Sequence, residues 1–245
     1  MRVAALAAAA LGALAVVPAA ATHAGATPPT VYAASSLTEV FSRIDSRPHF
    51  SFAGSDQLAF QIRQGAPADV FAAASPKYPQ QLFAEGLVAK PVVFATNELV
   101  LIVPRSNPAK IHSAFDLRRS GIKLVIGQAG VPIGDYTRQV LANLGLADVA
   151  ATAVDQEPDV KGIVTKIALG EGDAGFVYRT DVAPVRKRVG VIRLRASAQP
   201  RVEYQIAVVR SSKHAAAARA FVRRVLGPVG RKRLAAAGFG LPKKK

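Results

Sequence analysis

The sequence predicts an α/β protein of two lobes, each built on a mainly parallel sheet. Three observations carry this. Short apolar runs alternate with amphipathic segments along almost the whole chain, the pattern of strands joined by crossover helices. Two turn-rich breaks, Pro104-Arg105-Ser106-Asn107-Pro108 and Ser197-Ala198-Gln199-Pro200, cut out a middle block and leave the flanking blocks to join as a second lobe. Half of the 245 residues are apolar and a fifth charged, enough for a sizeable core.

Residues 1–26 come first and stand apart. Met1-Arg2-Val3 opens with one positive charge, Ala4 to Val17 is apolar or small, and Pro18 breaks the run. Ala19-Ala20-Ala21 and Ala24-Gly25-Ala26 then offer two small-residue cleavage patterns. This is the layout of a secretory signal, and the run is shorter than the roughly 20 residues of a membrane span. Arg2 is the one formal charge in this stretch, so without it the net charge falls from +16 to +15.

From Thr30 the expected elements follow in order. Strands are expected at 30–34, 49–52, 69–73, 99–103, 123–126, 174–178, 189–193 and 205–209, each a short apolar run. Helices are expected at 37–44, 57–64, 79–85, 134–144, 160–169 and 215–226, with a short one at 231–237, because their apolar positions recur every three to four residues. Val160, Ile163, Val164 and Ile167 show that spacing well. The two breaks divide the chain into 27–104 and 201–245 for lobe 1 and 105–200 for lobe 2. Two chain crossings between them make a hinge.

Signals of catalysis are missing. With no cysteine there is no thiolate metal site, disulfide, thiol nucleophile or lipid-bearing cysteine. His49, His112 and His214 are scattered, and the sequence has no zinc-protease, nucleophile-elbow, phosphate-loop or dinucleotide pattern. The basic runs Arg186-Lys187-Arg188, Arg223-Arg224, Arg231-Lys232-Arg233 and Lys243-Lys244-Lys245 lack interleaved aromatics, which argues against nucleic acid. They read as a solvated basic face, or as a surface that draws in a dianion or holds anionic envelope polymers.

One device recurs instead: a strand, then a small or hydroxyl residue, then a helix start. It occurs at Ala34-Ser35-Ser36-Leu37-Thr38-Glu39, where Ser36 and Glu39 also fit a capping box. It recurs at Ala53-Gly54-Ser55-Asp56, where Gly54 permits a sharp turn. At Gly130-Val131-Pro132-Ile133-Gly134, Pro132 is pre-set for a first helical turn. The fourth instance is Glu157-Pro158-Asp159-Val160-Lys161. Helix starts leave N–H groups unpaired at the positive end of a dipole, and several converging on a cleft would hold an anion.

These stretches, with Gly65-Ala66-Pro67-Ala68-Asp69-Val70-Phe71, Asn97-Glu98-Leu99-Val100 and Phe176-Val177-Tyr178-Arg179-Thr180-Asp181, resemble the periplasmic molybdate-binding proteins of molybdate ABC importers. The resemblance runs over nearly all of the chain after residue 26. It implies a two-lobed periplasmic-binding-protein fold with a two-strand hinge, and a receptor rather than an enzyme. It also implies a monomer without cofactor that works outside the cytoplasm. Its ligand would be molybdate or tungstate, so molybdenum enters only as its oxyanion, and its partner an ABC importer permease in the membrane. Carried over by motif, the hydroxyls of Ser36, Ser55 and Tyr178 and the amides of Ile133 and Val160 would hold the anion. The alternatives are a receptor for another oxyanion, such as sulfate or phosphate, or a secreted basic adhesion protein of the envelope. Against the family, Ile133 replaces a usual small residue, and the segment from Ser36 to Ser55 is shorter by about two helical turns. A tetrahedral dianion presents only acceptors, so a dry site for it needs donors and no free carboxylate.

Overall fold

The computed structural model describes residues 27–242, so the expected leader and the three terminal lysines lie outside the described residues. In chain order the elements are β1 (Thr30–Ala34), α1 (Thr38–Ile44), β2 (His49–Ala53), α2 (Ser55–Arg63), β3 (Val70–Ala73), α3 (Lys77–Ala84), β4 (Val92–Asn97) and β5 (Leu99–Pro104). They continue with β6 (Leu124–Gly127), α4 (Pro132–Asn143), β7 (Asp155–Glu157), α5 (Val160–Leu169), β8 (Ala174–Tyr178), β9 (Val189–Arg193), β10 (Val202–Val208), α6 (Ala215–Leu226) and α7 (Pro228–Ala236). Every expected strand and helix is present. Sequence periodicity missed β4, a short apolar run that ends in Thr96-Asn97 one residue before β5, and β7, three polar residues that alternate with nothing.

Two five-stranded sheets result, ordered β2-β1-β3-β10-β4 and β7-β6-β8-β5-β9. In the first, β2, β1 and β3 are parallel, β10 runs against β3, and β4 runs against β10. The second repeats the plan, with β7, β6 and β8 parallel, β5 reversed, and β9 reversed again. Each sheet is therefore mainly parallel with one opposing strand, and that strand is the one that has just crossed from the other lobe.

This corrects the first lobe boundary. Residues 99–104, expected in lobe 1, form β5 and pair with β8 and β9 in the second sheet. The crossing lies at Glu98, where no turn residue marks it. Pro104 to Pro108 is instead a loop at the far end of β5, within lobe 2. The second crossing runs through residues 194–201, between β9 of one sheet and β10 of the other. A side chain ties the two crossings together: the amide group of Gln199 accepts from the Leu99 N–H at 2.9 Å and donates to the Leu99 carbonyl at 2.8 Å.

Alternation along β3 separates two cores in lobe 1. Val70 and Ala72 face α1, α6 and α7, joining Phe41, Ile44, Phe221 and Leu234 in a core continuous with lobe 2. Phe71 and Ala73 face α2 and α3, packing on Leu58, Ile62 and Leu82. Phe41 centres the first core, with rings of Phe221 at 5.5 Å and Phe94 at 5.8 Å. β5 is buried along its whole length, which is why it reads as an unbroken apolar run.

Candidate functional site

The strands of both sheets end facing one another, and the turns leaving β1, β2, β6, β7 and β8 meet in the cleft. One small cavity of about 10 Å³, lined from both lobes, lies there. From lobe 1 come Ser35, Ser36, Gly54, Ser55 and Ala74, and from lobe 2 Val131, Pro132, Ile133, Asp159, Val160 and Tyr178. All five residues singled out in the sequence, Ser36, Ser55, Ile133, Val160 and Tyr178, line it. No Lys, Arg or His does.

Each helix start reaches the cavity differently. A short 3₁₀ turn, Ser35–Leu37, leads into α1, and neither this turn nor α1 has a side-chain cap. The capping box expected of Ser36 and Glu39 is absent: Ser36 is bonded to Tyr204, and Glu39 pairs with Lys161. α2 follows Gly54, again without a side-chain cap, and places Ser55 in its first turn. α4 begins at Pro132, which has no N–H, so Ile133 supplies its first amide. Ile133 does not crowd this end, because its Cγ2 packs where Gly127 has no Cβ: one there would lie 2.8 Å away. α5 alone is capped. Asp159 accepts from the Lys161 and Gly162 amides at 2.6 and 3.3 Å, leaving the Val160 amide outside that cap. Asp159 therefore puts a carboxylate in the lining, but one already occupied as a helix cap.

The three hydroxyls are arranged as donors. The Ala74 amide donates to Ser55 Oγ at 3.1 Å, which fills an acceptor position and leaves the Ser55 proton free. Ser36 is prepared through a chain. Glu98 N–H donates to Asn97 Oδ1, which turns Asn97 Nδ2 toward Thr180 and Tyr204. Tyr204 Oη accepts from Asn97 and shares a 2.9 Å hydrogen bond with Ser36 Oγ in which either hydroxyl can donate; with Tyr204 as the donor, the Ser36 proton is free for a ligand. Tyr178 Oη is buried with no hydrogen-bond partner among the described residues. Burial holds the Tyr178 hydroxyl well above the usual phenol range, so it stays a neutral donor. Tyr204 was not found from the sequence, since a strand tyrosine carries no local motif, and Asn97 lies in a motif of the resemblance that gives no sign of its bond to Tyr204.

Contacts between lobes flank the cavity on both sides. Tyr78 Oη donates to the Gly130 carbonyl at 2.5 Å, and Lys77 Nζ meets Asp135 Oδ2 at 3.0 Å. On the other side Lys161 Nζ binds Glu39 at 2.9 Å and stands 3.4 Å from buried Asp181. A Cβ on Gly54 would lie 2.6 Å from the Pro158 carbonyl of the opposite lobe, so glycine permits this close approach. Of the histidines, His214 bonds Asp69 at 3.2 Å, and His49 and His112 are exposed, all away from the cavity. Among the described residues no group of three or more His, Asp or Glu is placed to hold a metal ion, and no helix is long and apolar enough to cross a membrane.

Bacterial extracellular solute-binding proteins, as a family, match residues 29–240. The chain belongs to that family. Among its relatives, the molybdate-binding protein of Mycobacterium tuberculosis (strain H37Rv) is 36% identical over 228 residues, covering 89% of this chain and 86% of that one. The molybdate-binding protein of Haemophilus influenzae is 29% identical, over 86% and 89%. In structure the chain is similar to the Azotobacter vinelandii periplasmic molybdate-binding protein, with a TM-score of 0.78 at 24% identity over 88% of this chain and all of that one. It is also similar to the M. tuberculosis sulfate-binding protein SubI, with a TM-score of 0.72 at 18% identity over 87% and 86%. These likenesses establish the two-lobed solute-binding fold. As a family, solute-binding proteins are receptors and not enzymes.

Proposed function

We propose that this solute-binding protein captures molybdate, or its near-equal in size tungstate, between its lobes and delivers it to an ABC importer permease. The observation that carries the reading is the Tyr178 hydroxyl, buried and unpartnered among the described residues, in a cavity where the Ser55 oxygen already has a protein donor and Ser36 is bonded to Tyr204. An orphaned buried hydroxyl costs roughly 1–3 kcal/mol, a cost a binding site recovers when its ligand arrives. The amides of Ile133 and Val160 add donors at two helix starts. The relatives named for molybdate support this choice of ligand.

Lobe 1 supplies Ser36 and Ser55, and lobe 2 supplies Tyr178, Ile133 and Val160. An anion that meets all five contacts the closed arrangement more than the open one, so it favours closure through that difference. The lobes turn about Glu98 and residues 194–201. A ring of donors fixed by packing does not shrink onto the shorter bonds of sulfate, which is the basis of selection by size. Residues 1–26 serve as a cleaved export signal in this reading, and the mature protein acts as a monomer outside the cytoplasm.

Thermal melting of the mature protein with molybdate, tungstate, sulfate, phosphate and chloride at matched ionic strength tests this. A ligand that binds only the folded state raises the midpoint by mass action. Shifts with molybdate and tungstate alone are expected. A shift with sulfate or phosphate instead would keep the receptor and replace its ligand, and equal shifts with every salt would leave only a basic surface.

A further inference from the structure

From Val182 to Lys245 the sequence carries 17 Lys and Arg against a single acid, Glu203. Capture of one dianion in the cleft does not use them. Three of these cations, Arg186, Lys187 and Arg188, form one wall of a groove of about 770 Å³ beside the hinge. The opposite wall is lobe 1, with Arg43 and Glu39 of α1 and the end of α7. All four cations are exposed. The one acid in the lining, Glu39, is paired with Lys161, which also stands 3.4 Å from buried Asp181. Positive charge thus faces positive charge across a concave gap between two lobes.

We propose that this groove is a second anion site, taking a soluble oligophosphate rather than a single oxyanion. Guanidinium forks match phosphate oxygens in pairs, and a chain of phosphates supplies several charges at the spacing of several side chains. The groove is far larger than the cavity of the cleft, and its concavity fits a chain better than a flat membrane surface. None of its lining side chains is aromatic, so it offers no base-stacking surface. Because its walls belong to different lobes, an occupant draws them together and strengthens oxyanion capture by linkage, a consequence that rests on the receptor reading above.

Tripolyphosphate is the probe, titrated calorimetrically into the mature protein at constant ionic strength. The variant Arg43→Gln/Arg186→Gln/Arg188→Gln is expected to lose roughly tenfold or more in affinity, the sum of several exposed charge contacts. Arg219→Gln/Arg223→Gln/Lys232→Gln, with the same net charge, is expected to bind as the wild type does. Equal losses in both would reduce the effect to net charge and overturn the site. Loss in Tyr178→Phe would move the probe into the cleft, and would overturn it too. Binding to phosphatidylglycerol vesicles without binding to tripolyphosphate would reassign the surface to a membrane. With saturating tripolyphosphate, molybdate affinity should rise in the wild type and not in the groove variant. Tripolyphosphate binding is measured without molybdate, so it stands or falls apart from the choice of oxyanion.

Discussion

A tetrahedral dianion accepts hydrogen bonds and offers none, so Tyr178, Ser55 and Ser36 matter through the protons they can offer it. Their substitutions should separate binding from stability. Tyr178→Phe removes a hydroxyl that has no protein partner, so the mutant should melt at or above the wild-type temperature while binding molybdate about 10- to 100-fold more weakly. Ser55→Ala should weaken binding similarly but also lower the melting temperature, because the Ala74 amide loses its acceptor. Calorimetry and melting on the same two variants check both halves. Asp181 makes a different kind of prediction. Burial raises it to about 6, against the opposing pull of Lys161. Folding therefore tightens its proton, and the stability it contributes is complete below about pH 4 and lost as pH rises through about 6, up to about 3 kcal/mol. The difference in melting temperature between wild type and Asp181→Asn should change across that window, and a difference flat from pH 4 to 7 would refute the assignment. Lys161→Met, which removes the opposing charge, should move the window upward.

At the scale of elements, the strand-then-helix turns were legible where they have a local cause. Pro132 begins α4 and Asp159 caps α5, whereas Gly54, expected to permit a sharp turn, has an ordinary backbone and instead gives room for the Pro158 carbonyl. Ser36 and Glu39 have the spacing of a capping box, yet Ser36 turns to buried Tyr204 and Glu39 to Lys161. Spacing reports what a helix start can do, and tertiary partners decide what it does. The relay from Asn97 through Tyr204 to Ser36 spans three separate strands and turns, so no window of sequence contains it. Gly54→Ala tests the turn after β2. Its backbone, at φ −58° and ψ 138°, suits alanine, and within its own lobe the new Cβ would displace only the end of the Asp56 side chain, so stability should change little. The new Cβ would meet the Pro158 carbonyl across the cleft, so closure should suffer. About tenfold weaker molybdate binding, with a scattering radius that no longer contracts on adding ligand, is the expected pair of results; unchanged contraction would show that the lobes close without this approach.

For the whole molecule, the alternation of runs was enough to read an α/β chain of two lobes, since each strand and helix has its own periodicity. The lobe boundary was not, because only Glu98 separates β4 from β5 and the chain changes sheets there with neither Pro nor Gly to announce it. Prolines mark where a strand ends, and a hinge strand does not end. The two sheets share one plan, each with a reversed strand delivered by the crossing, and this brings helix starts of both lobes to one cavity. Tyr78 to Gly130 on one side and Glu39 to Lys161 on the other close it from outside. The most direct test is calorimetric titration of the mature wild type and of Tyr178→Phe with molybdate and with sulfate at equal ionic strength. Tight one-to-one binding of molybdate by the wild type, weakened by loss of the phenolic proton and far weaker for sulfate, is the predicted result. Equal affinity for molybdate in the two proteins would contradict it.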